Sequence, residues 1–490
     1  MRFPFASLLI YLLAAVLAPV SKASSLQVRA PATGSNKIVT YPVPTGVSVA
    51  NSFEVKIRTP GGKWQNVTTY QPTVAQINTT TGSRAVFASS MAYFDFNGTV
   101  EISATYSKAR VEEARVRPDS LDIAPNKSGH TVKFKLSRPQ NVVLQVNGEV
   151  FDCLHLFTNP ISTETPSSDD PDVIYFGPGF HSLAEALEVP SGKTVYVAGG
   201  AVVSVPSIYI TNVTSAAVRG HGVLTSTRSG SISITRSKNV VIDGLIGLNF
   251  MARTFESSNV EIRNWRSFSS VQWGDGIDLF CSKDILIDSV FLRNSDDCLA
   301  IYNHRDSWYG DSKNITLQNS SLWADVAHPI NVATHGNTLD PETVDGFTVR
   351  NIDILDHREK QMLYQGAIAI NPGDSNLVQN VLIDDVRVED FRMGQLLNFR
   401  VMFNEKYNTS PGRGIRNVLI QNLKYNGNHA GTSIFTGYDA DRTISNVTFH
   451  NLTINGQAIS DSMKKPSWYL TTDFIPMYAN EHVSNLTFIA

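Results

Sequence analysis

A chain of 490 residues is longer than one ordinary domain, so two are expected, with material for a large core. Charged residues make up 17% and the formal net charge is −3, which excludes a basic footprint for nucleic acid or an anionic membrane.

The first segment reads as an export signal. Met1-Arg2 gives a weakly positive start, residues 8–17 form a short apolar run, and Ser21-Lys22-Ala23 resembles a small-residue cleavage site. A signal peptide over residues 1–23 is therefore expected, and with it a secreted, extracellular protein. The run is too short to span a bilayer and no later segment is apolar enough, so no membrane partner is expected. N-glycosylation sequons at Asn66, Asn78, Asn97, Asn126, Asn212, Asn408 and elsewhere agree with export and predict N-linked glycans. Cys153, Cys281 and Cys298 are an odd set that allows at most one intrachain disulfide. Their spacing suggests no metal site, and no cofactor is expected.

Residues 24–158 form the first predicted domain. Short alternating runs such as Ser52-Phe-Glu-Val-Lys-Ile-Arg and Thr99-Val-Glu-Ile-Ser-Ala-Thr are broken by Gly, Pro and Asn. That pattern predicts an antiparallel β-sandwich. Residues 159–172 are polar and proline-spaced, which predicts a linker.

From residue 173 to 490 the chain becomes repetitive. Lys238-Asn-Val-Val-Ile-Asp, Ser258-Asn-Val-Glu-Ile-Arg, Lys283-Asp-Ile-Leu-Ile-Asp and Lys313-Asn-Ile-Thr-Leu-Gln are variants of one phrase. It recurs at anchors 346, 380, 417, 446 and 485, with gaps of 20 to 39 residues. Such a period means a solenoid of stacked coils, each phrase a strand with alternate apolar residues turned inward. No unit carries a helix, which excludes a leucine-rich repeat and leaves an all-β architecture, a parallel β-helix. The Asn at each strand start is structural, because Asn suits tight bends.

Chemistry concentrates where two coils meet. One reads Trp273-Gly-Asp275-Gly-Ile-Asp278, the next Asn294-Ser-Asp296-Asp297-Cys298, and Asp296 follows Asp275 by 21 residues, about one coil. The three acids should share one patch, where mutual repulsion raises at least one pKa. Hydrolysis of a glycosidic bond needs that division between a proton-bearing acid and a carboxylate. His328 falls one coil further on, in register with Asp297. Adjacent strand residues face opposite ways, so Asp296 and Asp297 can share a cleft only if the backbone kinks there. Asp278 is expected to brace the turn or touch substrate. Tyr302, Trp308 and Tyr309 could stack on sugar rings, and His335, Asn371, Asp374 and Arg400 are further substrate-binding candidates.

These segments resemble the polygalacturonases, glycoside hydrolase family 28, which carry an Asp, an Asp-Asp and a His motif on consecutive coils of a right-handed parallel β-helix. The two-domain layout resembles family 49, the dextranases and isopullulanases. The resemblance implies an inverting hydrolase with Asp296 as general acid, Asp275 and Asp297 activating water, and His328 tuning the acid. Three departures stand out. Trp273-Gly274 replaces Asn-Thr, Ala327 and Pro329 flank the histidine in place of glycines, and residues 366–374 lack the Arg and Lys that grip a galacturonate carboxylate. Arg400 or Arg413 could substitute for them. The expected partner is a polysaccharide, pectic or a neutral α-glucan, and the expected state is a monomer. Competing readings are a polysaccharide lyase and a non-catalytic carbohydrate-binding β-helix. For the first domain, glycan binding or covering the apolar end of the solenoid are both open.

Overall fold

A computed structural model describes residues 36–78, 81–163 and 165–490. The signal-peptide reading of residues 1–23 lies outside them. Among the described residues no helix is long and apolar enough to cross a membrane.

The N-terminal part is a sandwich of two five-stranded sheets. Alternate residues of Phe53–Arg58 and Thr131–Leu136 turn inward (Phe53, Val55, Ile57; Val132, Phe134, Leu136), as period-2 patterning requires. The sheets are not wholly antiparallel: Leu154–Asn159 runs parallel to Ser90–Asn97. A two-stranded hairpin, Thr73–Ile77 with Arg84–Ala88, projects from the sandwich.

Residues 173–489 form one continuous 29-stranded sheet wound into a right-handed parallel β-helix. The repeated phrase stacks in register, so Val240, Val260, Ile285, Ile315, Phe347, Val381, Val418, Val447 and Leu486 make one interior column. Each coil therefore buries apolar side chains against identical positions above and below, which is how a solenoid closes its core.

The anchor asparagines do what the bend requires. Asn239, Asn259, Asn314, Asn380, Asn417, Asn446 and Asn485 all have φ between 53° and 59°, the left-handed region Asn tolerates. Their side chains also bond along the stack, as in Asn446 Nδ2 to Asn417 Oδ1 (3.1 Å) and Asn485 Nδ2 to Asn446 Oδ1 (2.9 Å). Asn264, Asn319, Asn351, Asn422 and Asn451 build a second such corner.

Among the described residues the sandwich lies along the flank of the helix. Val202, Val223, Ile246, Phe268, Phe291, Trp323 and Leu355 form an outward apolar column, and Tyr70, Met91, Tyr93, Val143, Cys153 and Phe157 of the sandwich pack on it. Buried cations bolt this seam. Arg293, fully buried, pairs with Asp325 (3.0 Å), donates to Val150 O (2.7 Å) and lies over the Trp323 ring. Arg117 pairs with Glu389 (2.6 Å), and Arg266 reaches Asn159 (2.7 Å). All three cysteines are free and buried, so the disulfide that the sequence allowed is not formed.

Sequons divide by burial. Asn66, Asn97, Asn126 and Asn212 are exposed. Asn408 is buried and donates to Thr334 O (2.6 Å), which leaves no room for a glycan there and corrects that expectation.

Candidate active site

All four residues of the expected constellation sit at one corner of successive coils, between strands. Asp275 lies in the turn before Ile277–Phe280, Asp296 and Asp297 in the bend before Leu299–Tyr302, and His328 in the bend before Ile330–Val332. These three strands pair in register, so the bends stack. The kink that the acid pair demanded is this bend. Backbone bonds tie the corners together, Gly276 N to Asp297 O (2.9 Å) and Cys298 N to His328 O (2.8 Å).

The Gly-Asp-Gly phrase has a steric cause. A Cβ on Gly276 would stand 2.6 Å from both Asn294 Oδ1 and Cys298 O, and one on Gly274 2.7 Å from Ser295 Oγ. Only glycine lets neighbouring coils approach this closely around Asp275.

One oxygen from each of Asp275, Asp296 and Asp297 lies within 4.8 Å of the others. The Asp297 amide donates to Asp275 Oδ1 (3.1 Å) and Asp296 Oδ1 (3.0 Å). The Asp297 carboxylate is held from behind by His328 Nδ1 (2.7 Å), the His328 amide (3.0 Å), Asn331 Nδ2 (2.7 Å) and Tyr302 Oη (3.1 Å). His328 Nε2 faces Tyr364 O at 2.8 Å. Both ring nitrogens meet acceptors, so the arrangement calls for the doubly protonated imidazolium.

These contacts split the acids. Burial raises the Asp296 carboxyl well above the usual carboxylate range, and the charge on Asp297 adds to this against the pull of His328. Asp275 is raised in the same way, by burial and then by Asp278, Asp296 and Asp297. Burial works on Asp297 too, but the His328 charge and the hydrogen bonds from His328 and Asn331 hold it below its usual value. Burial opposes charge on His328, and Asp297 more than offsets that, so the imidazole pKa is raised. His328 touches Asp297 directly, and its charge also acts on Asp296, whose pKa it lowers against burial.

An open cleft of about 460 Å³ runs over the triad. Its walls include Trp273, Phe255, Phe280, Tyr302, Tyr364 and Tyr407. Asp278 lines it on the side of Arg253 (3.1 Å), and burial lifts its carboxyl to about 6 despite that cation. Tyr302 and His335 meet edge to face at 4.9 Å on the cleft wall. Burial, helped by Arg305, lowers His335 to about 4, so it is neutral.

Five other candidates are placed elsewhere. Trp308 packs on Phe255 (5.3 Å) beneath the Arg236 guanidinium and does not line the cleft. Asn371 is wholly buried and donates to Asn398 Oδ1 (3.0 Å). Asp374 accepts from the Thr409 amide and hydroxyl and from Asn408, which fixes the loop 400–413. Arg400 braces Leu363 O (2.8 Å), and Arg413 is occupied by Ser375 O and Glu342 O. Neither arginine faces the cleft as a substitute grip. The cations that do are Arg253, Arg305 and Lys406.

Sequence reasoning missed Asn331 and Tyr364. Asn331 carried a signal, a lone amide inside the apolar strand Ile330–Val332, three residues after the histidine. Tyr364 and Tyr407 come from loops of irregular length, where no register could place them.

No family model matches the chain. It is 22% identical to Probable endopolygalacturonase D of Emericella nidulans over 192 residues, 39% of this chain and 34% of that protein. To Endopolygalacturonase B of Aspergillus niger it is 24% identical over 222 residues, 44% of this chain and 56% of that one. The matches thus span about a third to just over half of those relatives' length. Among solved structures, Dex49A from Penicillium minioluteum aligns with a TM-score of 0.60 at 12% identity, over 92% of this chain and 96% of that one. The two share their fold.

Proposed function

We propose that the chain is a secreted glycoside hydrolase that cleaves a glycosidic bond in a pectic polysaccharide. The observation that carries this is the split in ionisation within one open cleft: Asp296 keeps its proton beside an Asp297 held ionised. Asp296 protonates the leaving glycosidic oxygen, Asp297 takes the proton of the attacking water, and Asp275 orients that water. The similarity to endopolygalacturonases supports this reading.

We assign an inverting course. The triad is tighter than the roughly 6.5–9.5 Å separation typical of inverting pairs, so spacing alone does not select it. Hydrogen bonding does: donors engage both Asp297 oxygens, which weakens that carboxylate as a nucleophile and leaves water as the attacking group.

The substrate class rests on charge. Arg305 has no ion-pair partner among the described residues and is free to meet a uronate carboxylate, while Lys406, which donates to Gln361 Oε1 (3.1 Å) and lies over the Tyr407 ring, adds positive charge to the same wall. A second reading, a neutral α-glucan, is favoured by the empty place of the grip at residues 366–374 and the layout shared with Dex49A.

Reducing-end release from polygalacturonate, rhamnogalacturonan, dextran and pullulan tests both. Release from one pectic polymer, lost in Asp296→Asn, is the expected result. Release from a glucan alone moves the substrate to the second reading. Products absorbing in the ultraviolet would indicate a lyase, and no release at all would leave a binding protein. Proton NMR of the first product reads the anomer and so the stereochemistry.

His328→Gln should move the acid limb of the pH–rate profile to higher pH. Without the imidazolium, Asp297 loses the charge that holds its pKa down, and the base is protonated sooner as pH falls. The kcat/KM profile between pH 3 and 8 checks it, and an unmoved acid limb would remove His328 from this role.

A further inference from the structure

A second hollow adjoins the catalytic cleft, and the N-terminal sandwich builds half of it. Gln76, Ile77, Asn78, Ser83, Arg84 and Ala85 of the projecting hairpin form one wall, and Val326 with residues 358–361 form the other. Glu359 and Gln361 line both hollows, so the two are continuous. The hollow measures about 470 Å³, close to that over the triad.

The hairpin is fixed firmly against the helix. Thr73 Oγ1 and Ser270 Oγ are 2.7 Å apart, and Arg84 donates to Ser270 O at 3.3 Å. Ala75 and Ile77 pack on Val326 and Ala327, next to His328. The opposite loop is tied to the catalytic wall through Gln361, whose Oε1 accepts from Lys406 (3.1 Å) and from Tyr407 Oη (3.1 Å).

The two hollows differ in charge. Acids crowd the catalytic cleft, whereas the second has Arg84, Arg358 and Lys360 against the single carboxylate Glu359. Glu359 already accepts from the Gln361 amide at 2.7 Å. Arg84, Arg358 and Lys360 have no ion-pair partner among the described residues. Arg358 is half-buried, so part of its desolvation is already met before any ligand arrives.

We propose that this hollow is a distal subsite, shared between the two domains, that takes the carboxylates of an acidic glycan whose reacting unit lies over the triad. It rests on the pectic reading above and adds to it a role for the sandwich. The helix cleft positions the scissile bond among acids, and Arg84 of the sandwich hairpin, with Arg358 and Lys360 of the helix loop opposite, holds the chain further along. Longer oligomers gain its contacts in addition to those over the triad.

The test uses the full chain with Asp296→Asn, which blocks turnover, and titrates it calorimetrically with galacturonate trimer, galacturonate octamer and a neutral maltooctaose. Arg84→Gln and Lys360→Gln are then added singly and together. The double variant should weaken octamer binding about tenfold, as for the loss of a charge-assisted hydrogen bond, and leave the trimer unchanged. Arg84, not Lys360, donates to Ser270 O, so a fall in Lys360→Gln alone separates lost recognition from a disturbed Ser270 contact. Equal octamer binding by parent and variants, no octamer binding by the parent, or an equal fall for maltooctaose would overturn the subsite. Failure of the pectic reading shows separately, as absence of polygalacturonate turnover by the unaltered protein.

Discussion

Asp296→Asn should lower the rate of hydrolysis by about 10²–10⁴-fold, the usual contribution of a positioned general acid, while raising the melting temperature at pH 7. The two effects have one cause. Burial and the Asp297 charge lift the Asp296 pKa in the folded state. An acid whose folded pKa is raised binds more protons folded than unfolded, so stability falls as pH climbs from the ordinary carboxylate range through the folded value. Asparagine keeps the shape and removes that penalty. The gain should vanish near pH 3, where the aspartate is protonated in both states. Thermal unfolding of both proteins at pH 3 and pH 7 checks this. A variant that loses activity without gaining stability at pH 7 would mean that Asp296 is not held protonated.

Arg293→Met should cost about 3–5 kcal/mol of stability, the range for breaking a buried ion pair by removing one partner. Arg293 is fully buried between the sandwich and the helix, and its guanidinium serves Asp325, Val150 O and the Trp323 face together. Methionine fills the volume but leaves Asp325 with Arg392 alone (2.8 Å) and leaves Val150 O without this donor. Because the seam joins the two parts, the sandwich should become cleavable by protease before the helix unfolds. Urea titration followed by fluorescence, with limited proteolysis in parallel, reads both effects. A loss below 1 kcal/mol would mean that the apolar column, not the buried charge, holds the seam.

Much of the helix was legible because a solenoid repeats its physics. Every coil faces the same neighbours, so an Asn at the bend and apolar residues at alternate positions return each time, and Asp275, Asp296 and His328 could be placed coil by coil. The antiparallel expectation for the sandwich fails at Leu154–Asn159 for the opposite reason: alternation marks a strand but carries no direction, and this one pairs parallel. Asn371, Asp374 and Arg400 failed as cleft residues because knowing their coil did not say which way each side chain turns. Asn371 is taken up by Asn398, Asp374 by a loop, and Arg400 by Leu363 O along the wall.

By itself the sequence determined the coil period, the bends and the stack of acids, all set by contacts between like positions a fixed distance apart. Tertiary structure alone decided where the sandwich lies, which cations face the cleft, and which loop residues close around Asp297. Those choices depend on contacts between segments of unrelated spacing: Arg293 meets Val150, Arg84 meets Ser270, and Tyr364 meets His328. No periodicity links such pairs; burial of the outward apolar column of the helix, with the buried arginines of the seam, brings the two parts together.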